Sequence, residues 1–427
     1  MTNLEKHPGY FRRARETRSR EKRREELERQ FLEVFSHAFH RSKAYQEIYR
    51  SAGVDPSSVK CLEDLERIPV LRMRDLVKRQ EKEPPFGGFE TIGAEEIRRI
   101  YINPGLILQP GERGYADTTW AEALCAAGFQ EGDRIINTFN YHLWPLAFML
   151  DESAGMLGAT VIPTGVGNTM MQVKILQKLK INAFMGTPSF VMTLVQRAEA
   201  MGLDPGKDLA LEKAVVGAEM LPESLRSHLE AKMEMTVRQI YGTVYLGCIG
   251  YECGYITGLH IPDGLIVEVV DPQTGNQVED GAVGEVVATS FGHAYPMIRM
   301  ATGDLSMVTK EDCPCGRTGP MLKRILGRTD QAAKVRGTFV HPWQADEVVS
   351  RHPEVFKYQV VIERKNHHDV MTFVLELKHD IDRPEVLEAR VERDIKEFLT
   401  IKGTARVVPR GTIPDYHKKI EDRRRWE

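Results

Sequence analysis

Between residues 120 and 300, short apolar runs alternate with stretches whose apolar residues recur at helical spacing. The helical stretches are Thr119–Ala127, Met170–Lys180 and Glu223–Lys232. Apolar runs bounded by glycine or proline are typical of buried strands, and strands that alternate with helices indicate a parallel sheet covered on both faces. We therefore predict a large α/β domain. Its strands are expected within Asp133–Phe139, Gly158–Pro163, Asn182–Pro188, Lys213–Glu219 and Arg238–Gly242.

The carboxyl ends of these strands are the expected position of a ligand site, because open parallel sheets bind their ligands there. The segments concerned are Phe139–Tyr141, Thr187–Pro188, Gly217–Glu219 and Tyr241–Thr243. We expect the functional side chains of the domain to cluster on these four segments.

The second half of the chain changes in character. Residues 264–290 read as two strands joined by a turn at Asp271–Gly275. Further strands follow residue 355, with helices predicted at Trp343–Ser350 and Arg383–Leu399. This pattern indicates a small α+β domain, and we place the boundary so that the domains are 1–329 and 330–427.

The composition is that of an ordinary soluble protein, with 58 basic and 61 acidic residues and a net charge of −3. Near-neutral charge gives no reason to expect nucleic acid as a partner. We find no apolar run of about 18 residues that would suit a membrane helix, and no apolar signal core at the start. Six cysteines are too few for a secreted disulfide scaffold of this length. We expect a cytoplasmic protein without membrane contact.

The first fifty residues are predicted to be helical and begin with an arginine-rich run, 10–30. Glutamate and arginine recur there at helical spacing, which favours an exposed, solvated helix face. A surface for a partner or a nucleic acid is the alternative interpretation.

Eleven segments, taken in order, resemble the phenylacetate–CoA ligase branch of the adenylate-forming enzymes, which belong to the acyl-CoA synthetase superfamily. They include GDRIINTFNYHLW, LGATVIPTGVGNT, VVGAE, QIYG, PMIRMATGDLS, CPCGRTGP and ILGRTDQAAKVRGTFVHP. The resemblance implies a large N-terminal domain and a small, mobile C-terminal domain. It also implies that an acid reacts with ATP to give an acyl-adenylate, from which the thiol of CoA then displaces AMP.

The resemblance also assigns roles to single residues. Tyr241 and Gly242 match the segment that packs on adenine, Asp304 matches the carboxylate that binds the ribose hydroxyls, and Arg328 matches the arginine near ribose and phosphate. The remaining matches are the adenine-side loop Gly217, Ala218 and Glu219, the hinge Asp330, the acyl pocket with Phe139, Tyr141 and Trp144, and the pantetheine-facing Arg336 and Gly337.

The phosphate-binding part of the pattern is missing. Members of the branch carry a Ser/Thr/Gly-rich loop ending in Lys-Pro, and here that loop falls on Asn103–Pro110, with leucine and isoleucine at its centre and Gln109 at the lysine position. A glutamate that holds Mg²⁺ is replaced by Tyr245, and a neutral phenol is a poor ligand for Mg²⁺. Because two contacts to one ligand are lost together, we do not expect ATP and magnesium to be used.

The catalytic lysine of the branch matches Lys419 when counted from Pro414, and Lys418 when counted back from residues 422–424. Solvated lysines in a basic tail are the alternative interpretation. His142 could act as a base in a water-poor pocket, although an isolated histidine is more often structural.

Cys253, His260, Cys313 and Cys315 offer four soft or borderline ligands in two close pairs, which suits tetrahedral zinc. Some relatives in the branch place a structural zinc on matching positions. Reduced, buried cysteines are the alternative, and Cys248 could replace Cys253. Four protein ligands leave no open position, so we expect a structural metal.

Three functions remain open. The preferred hypothesis is a member of the branch that binds or converts an acyl or aryl thioester of CoA or of an acyl carrier protein without adenylation. The second is an ATP-dependent acyl- or aryl-CoA ligase with a displaced phosphate grip at Gly111–Gly114. The third is a non-enzymatic partner of an acyl carrier protein, docked through its arginines. We expect a small acyl or aryl substrate, and a homodimer is a candidate assembly.

Overall fold

The computed structural model describes residues 9–103, 106–114, 117–329, 333–335, 338–340, 342–365, 368–399, 401–415 and 417–424. The chain divides into two compact units. The first comprises Met1–Thr302 and Met307–Arg324, and the second comprises Gly303–Ser306 and Ile325–Glu427. The hinge residue Asp330 lies outside the described residues, so the hinge and the domain boundary stay predictions.

The helices are, in chain order, α1 Arg13–Glu16, α2 Arg20–Arg41, α3 Lys43–Ser51, α4 Met73–Lys82, α5 Thr119–Ala126, α6 Leu146–Met156, α7 Thr169–Leu179, α8 Pro188–Ala200, α9 Pro205–Asp208, α10 Glu223–Met233, α11 Pro342–Ser350 and α12 Pro384–Leu399. Short 3₁₀ turns lie at Pro56–Ser58, Leu62–Arg67 and Ala94–Glu96.

The strands of the first unit are β1 Ile97–Asn103, β2 Ile107–Glu112, β3 Arg134–Asn137, β4 Thr160–Pro163, β5 Ala183–Gly186, β6 Lys213–Val216, β7 Thr236–Thr243, β8 Gly247–Tyr251, β9 Leu259–His260, β10 Leu265–Val270 and β11 Gly284–Ser290. β12 Met300–Ser306 continues from the first unit into the second, and β13 Val308–Thr309 and β14 Met321–Leu322 return to the first. The second unit adds β15 Gly327–Arg328, β16 Ala333–Val335, β17 Thr338–Val340, β18 Val355–Lys365, β19 His368–Leu377, β20 Thr404–Val408 and β21 Ile420–Asp422.

A nine-stranded sheet forms the centre of the first unit, in the order β13-β14-β9-β8-β7-β6-β5-β3-β4. The five strands β3 to β7 run parallel to one another, and β7 pairs antiparallel with β8. Two buried apolar clusters cover the two faces, one with Trp120, Ile135 and Leu150 and the other with Phe184, Leu194 and Leu229. The predicted α/β class with a covered parallel sheet is confirmed.

Local signals explain why these helices begin where they do. The side chain of Thr187 accepts a hydrogen bond from the N–H of Phe190, and Pro188 occupies the first position of α8. Asn168 caps α7 in the same way through the N–H of Met171. Such caps satisfy N–H groups that have no partner inside the helix, and they fix the start of α8 directly after β5 and the start of α7 after the connection 164–168.

The expected phosphate loop is in large part a strand. β1 and β2 form an antiparallel hairpin in which Ile100 lies opposite Pro110 and Tyr101 opposite Gln109. The prediction of a loop over residues 103–110 is therefore wrong for 107–110. The loop was expected because the resemblance aligns the family's phosphate loop with this stretch, whereas a two-stranded hairpin tolerates its proline and glycine because the outer edges need no pairing.

The arginine-rich start is a solvated helix face only in part, since Arg20, Arg24 and Arg29 are exposed. Arg15, Arg18 and Arg23 all contact the carboxylate of Asp263, at 2.7, 2.7 and 3.3 Å. The side chain of Asp263 is only 2% exposed. A buried carboxylate is tolerated only when it is paired, and these arginines are used to pair it.

Glu16 continues this buried network. It forms an ion pair with Arg317 at 2.9 Å, and both side chains are almost fully enclosed. The carboxyl group of Glu122 lies close by and accepts a hydrogen bond from the N–H of Asp263. Desolvation raises the pKa of Glu122 to about 8, with further contributions from the charges of Glu16 and Asp263.

The second unit is a small α+β structure. Its four-stranded sheet has the order β20-β19-β18-β21, with α12 packed through Leu387, Val391, Ile395 and Leu399. These four apolar residues recur every four positions and so line one helix face. Arg423 and Arg424 of the tail pair with Glu421 and Asp422, respectively.

We expect Asp263→Ala to lower the free energy of unfolding by about 3–5 kcal/mol, because it leaves three arginines without their buried partner. Urea unfolding followed by circular dichroism measures this loss. The matched control is Asp312→Ala, which removes a carboxylate that is 92% exposed and paired with Arg20 of the same segment. Equal, small effects of the two substitutions would contradict a stabilising role for the Asp263 cluster.

We expect Glu122→Gln to flatten the pH dependence of stability. Between the ordinary pKa of 4.5 and the raised value of about 8, the folded state holds a proton that the unfolded state has lost. Glu122 therefore makes the folded state less stable as pH rises through this window, by roughly 1.4 kcal/mol per pH unit.

Urea unfolding from pH 5 to pH 9 tests this effect, with Glu131→Gln as the exposed control. If the wild type and Glu122→Gln keep parallel stability profiles, the carboxyl group of Glu122 does not retain its proton in the folded protein.

Candidate active site and metal centre

The adenine-side segments lie at the carboxyl ends of β6 and β7, as the sequence indicates. Gly217 packs so closely on Ile240 that an added Cβ would meet its Cγ1 at 2.9 Å. Gly242 is equally restricted, since a Cβ would lie 2.4 Å from the carbonyl oxygen of Gly247. Ala218 adopts a left-handed backbone with φ of +64°. These constraints explain why small residues occupy the loop.

Polar contacts fix the residues around this loop. The hydroxyl of Tyr241 contacts the Oγ1 of Thr302 at 3.1 Å, which in turn donates to the carbonyl of Val286. The exposed carboxylate of Glu219 accepts hydrogen bonds from the N–H and the hydroxyl of Ser189. The loop therefore presents a carboxylate and an aromatic ring that are both held in place.

Asp304 and Arg328 face each other across β12 and β15 of the second unit. Arg328 Nη1 donates to Asp304 Oδ1 at 3.0 Å. Gly303, with φ of +78°, leaves room for the guanidinium, because a Cβ would lie 2.7 Å from Arg328 Nη2. The two residues that the sequence assigns to ribose thus form an ion pair with each other.

Gln109 and Tyr245 stand where relatives carry the phosphate-binding lysine and the magnesium-binding glutamate. The Gln109 side chain is hydrogen-bonded to the backbone just before Tyr245. Gln109 Nε2 donates to the carbonyl oxygen of Val244 at 2.8 Å, and Val244 directly precedes Tyr245. Burial raises the pKa of the Tyr245 hydroxyl, so it is neutral at pH 7. Leu106, at the hairpin tip, is 81% exposed. No cationic side chain and no carboxylate stands at these three positions.

The segment after β3 divides into buried and exposed residues. Phe139 belongs to the buried core, and Tyr141 is half-buried, with its hydroxyl bonded to Asn137 and Asp151. Trp144 is 41% exposed. His142 is exposed as well, so the expectation that it lies in a water-poor pocket is wrong.

The two candidate lysines of the tail differ. Lys419 forms an ion pair with Asp346, with both carboxylate oxygens within 2.7 Å. Lys418 is exposed and contributes its carbonyl to a hydrogen bond from Gln359. The choice between them stays a prediction. Arg336 and Gly337 lie outside the described residues.

Cys253, His260, Cys313 and Cys315 converge on one buried point. Their ligand atoms all lie within 4.8 Å of one another. Cys253 Sγ lies 3.7 Å from Cys313 Sγ, and Cys315 Sγ lies 3.4 Å from His260 Nε2. Zn–S bonds of about 2.3 Å at tetrahedral angles separate two sulfurs by roughly 3.8 Å, so the donor set fits zinc.

The surroundings of this cluster favour thiolate ligands. The hydroxyl of Thr257 donates to Cys313 Sγ at 3.1 Å, and the N–H of Arg317 donates to Cys315 Sγ at 3.5 Å. Contacts with Cys253 and Cys313 lower the pKa of Cys315, whereas contacts with Cys313 and Cys315 raise that of Cys253. Cys248 is no alternative ligand, because its sulfur contacts the carbonyls of Tyr241 and Gly250 and lies outside the cluster.

Comparisons with known proteins show which family the chain resembles. A family profile described as AMP-binding enzyme matches residues 116–294, and one described as AMP-binding enzyme C-terminal domain matches 337–424. The phenylacetate–coenzyme A ligase of Thermus thermophilus is 33% identical over 429 residues, which cover 93% of this chain and 95% of that relative. A protein of the same name from Aromatoleum evansii is 28% identical over 91% of each chain.

The chain belongs to the phenylacetate–coenzyme A ligase family.

A solved structure of 2-hydroxyisobutyryl-CoA ligase, in an open conformation with 2-hydroxyisobutyryl-AMP and CoA, shares the fold of this family member. The TM-score is 0.84 at 23% identity, over 97% of this chain and 94% of that one. Among the residues that our structure describes, none belongs to a helix long and apolar enough to cross a bilayer.

Sequence reasoning missed several residues that build the family site in this chain. Trp120 confines Gly242, since an added Cβ there would meet its ring at 2.7 Å. Thr302 fixes Tyr241, and Asp117 receives both hydrogen bonds that begin α5 at Thr119. Asp117 could have been recognised as a helix cap, because it precedes the helix by two residues. The other contacts join positions far apart in sequence and leave no local signal.

Proposed function

We propose that this family member binds or converts an acyl or aryl thioester of CoA without forming an acyl-adenylate. The contact of Gln109 with Val244 carries the proposal. This hydrogen bond engages the side chain of Gln109, which stands where relatives carry the phosphate-binding lysine. Next to Val244 lies Tyr245, which is buried and neutral and stands where relatives carry the magnesium-binding glutamate. A triphosphate brings about four negative charges. Gln109 carries no positive charge to meet them, and Tyr245 offers no carboxylate to hold the magnesium ion that would.

The free energy of the two missing contacts to MgATP also supports a function without adenylation. Each charge-assisted contact to a phosphate or to its magnesium contributes about 1.5–3 kcal/mol. Two missing contacts then reduce adenylation by roughly 10³-fold. Leu106, Ile107 and Leu108 offer no side-chain donor that replaces them.

CoA is preferred over an acyl carrier protein as the source of the thioester. The arginines that could dock an acidic carrier are engaged within the chain, with Arg15, Arg18 and Arg23 on Asp263 and with Arg424 on Asp422. Paired arginines attract an acidic surface less strongly than free ones. A carrier protein therefore stays the weaker alternative.

An ATP-dependent acyl- or aryl-CoA ligase is the second candidate. The similarity to proteins named phenylacetate–coenzyme A ligase over nine-tenths of the chain favours it. Arg113, which is exposed beside the end of β2, is the cation that could then contact the phosphates.

ATP–pyrophosphate exchange separates the two candidates. With phenylacetate, benzoate and short fatty acids as substrates, we expect exchange to be lower by about 10³-fold or more than that of the Thermus thermophilus relative run in parallel. Exchange at the rate of that relative would overturn the proposal.

A thioester assay separates turnover from binding. Phenylacetyl-CoA is incubated without ATP, and free thiol is measured with a chromogenic disulfide, while calorimetry measures binding. We expect saturable binding in both the presence and the absence of MgATP. The absence of any binding of phenylacetyl-CoA would remove the thioester function.

We further propose that the four-residue Cys/His cluster holds a structural zinc. The ligands would be Cys253, His260, Cys313 and Cys315, and the metal would cross-link the β8–β9 region to the segment before β14. A closed four-ligand site supplies no open position for substrate, so it contributes to folding and not to chemistry.

Elemental analysis tests this assignment. We expect about one zinc per chain in the wild type, and loss of most of it in Cys313→Ser and Cys315→Ser, since serine is a much weaker zinc ligand. Cys248→Ser and Cys61→Ser are the matched controls and should keep the metal. Unchanged zinc in the first pair, or loss in the control pair, would contradict the ligand set.

A further inference from the structure

The N-terminal arm, residues 9–19, is attached to the first unit through a short loop that carries two of the candidate metal ligands. The loop comprises residues 313–318 and contains Cys313 and Cys315 of the Cys/His cluster. Tyr10 of the arm donates a hydrogen bond from its hydroxyl to the carbonyl oxygen of Cys315. The arm therefore contacts the backbone of a candidate ligand directly.

Arg317 connects this loop to the arm at several points. Its side chain is 2% exposed, and it pairs at 2.9 Å with Glu16 of the arm, whose side chain is 1% exposed. The same guanidinium donates to the carbonyl oxygen of Gly9 and lies over the ring of Tyr10, 4.8 Å from its centroid. Because both charges of the ion pair are buried, separating them without full hydration of each is costly.

Thr318 extends the attachment along the backbone of the arm. Its N–H donates to the carbonyl oxygen of Glu16 at 3.2 Å, and its hydroxyl donates to the carbonyl oxygen of Arg18. Thr318 follows Cys315 by three residues. Hydrogen bonds weaken steeply when their geometry changes, so these contacts need the loop to keep one conformation.

The second anchor of the arm also lies next to a candidate ligand. Arg15 and Arg18 each contact the carboxylate of Asp263 at 2.7 Å. Asp263 follows His260 by three residues. Since His260 Nε2 lies 3.4 Å from Cys315 Sγ, the cluster joins the two anchors of the arm.

The loop has no regular secondary structure to hold its shape. Residues 310–320, all of which the structure describes, form no helix or strand. Cys313 and Cys315 meet Cys253 and His260 through sulfur, at 3.7 and 3.4 Å, respectively. Thiols are weak hydrogen-bonding groups, whereas zinc binds thiolate and imidazole directly. A bound metal therefore adds strongly to the order of this loop.

We propose that zinc in the Cys/His cluster holds the N-terminal arm in place, and that loss of the metal releases the arm. This inference rests on the structural zinc proposed above. When the four ligands are joined, Arg317 and Thr318 stay aligned with the arm, and Asp263 is held beside them. When they are not joined, the loop separates from His260 and the two anchors no longer act together. The cluster is thus a switch that responds to the supply of zinc.

Release of the arm changes a cavity of the first unit. Arg12 and Arg15 of the arm line a cavity of about 310 Å³, together with Gln109, Tyr245 and other residues. This volume falls in the range of small-molecule sites. Detachment of the arm removes part of the cavity wall, so the metal controls access of solutes to this cavity.

Limited trypsin digestion followed by mass spectrometry tests the switch in the full-length protein. Zinc is removed with 1,10-phenanthroline, the chelator is removed by desalting, and the zinc content is measured. We expect cleavage after Arg13 and Arg18 to become at least about tenfold faster, since proteases cut segments that detach from the fold. Renewed addition of zinc should restore the slow rate.

Two other cleavage sites control for general unfolding. Lys378 is exposed in the second unit and should be cut at the same rate with and without zinc. Arg197 lies on α8, which packs into the buried cluster of Phe184 and Leu194. That cluster contains none of the four candidate ligands, so Arg197 should stay uncut in both states.

Glu16→Gln separates attachment of the arm from binding of the metal. It removes the charge that pairs with Arg317 and leaves the four ligands unchanged. We expect several-fold faster cleavage after Arg13 and Arg18, with about one zinc per chain retained. Glu21→Gln, which changes an exposed carboxylate of α2, is the matched control and should alter neither value.

Each outcome decides the proposal. Equal cleavage of the arm with and without zinc would overturn the switch and leave the zinc assignment intact. Faster cleavage after Arg197 in the zinc-free protein would also overturn it, because the metal would then hold the whole unit together. If the purified chain holds no zinc and takes up none from a zinc salt, the switch and the metal assignment both fail.

Discussion

A single buried carboxylate organises the start of this protein. Asp263 receives three arginines from the N-terminal segment, and it is this contact that draws Arg15, Arg18 and Arg23 out of water. Charges can leave water only when a partner compensates them, and the partner here lies almost 250 residues further along the chain. Asp263 also donates its N–H to Glu122, so the same residue shapes the environment of that carboxyl group.

The same physical rule underlies the proposal that this family member forms no acyl-adenylate. A site for MgATP must carry charge where the phosphates bind, and this family member has placed Leu106, Gln109 and Tyr245 there. The segments that the resemblance assigns to adenine keep Gly217 and Gly242, since an added Cβ there would meet Ile240 and Trp120, respectively. Packing residues and charged residues can therefore differ independently from those of relatives. The chain keeps the fold of an adenylate-forming enzyme, while the positions that the proposal concerns carry no charge.

The sequence predicted the features that depend on neighbouring residues, namely the helices, the parallel strands and the candidate metal ligands. The predicted helix Met170–Lys180 differs by one residue at each end from α7, since Asn168 caps it, and the predicted parallel strands are all present. The four metal-ligand candidates were recognised from their residue types and close pairs. The strand Ile107–Glu112 was missed because the resemblance assigned this stretch to a loop, and the burial of Arg23 was missed because its partner is distant in sequence. Asp330, Arg336 and Gly337 stay predictions.

The tie between Glu16 and Arg317 has a consequence for biosynthesis. The two residues are 301 positions apart, and Arg317 directly follows the Cys313–Gly316 turn. During synthesis Glu16 is made about 300 residues before Arg317, so this ion pair cannot form until residue 317 has left the ribosome. A buried contact of the first unit therefore closes long after its first partner has been made.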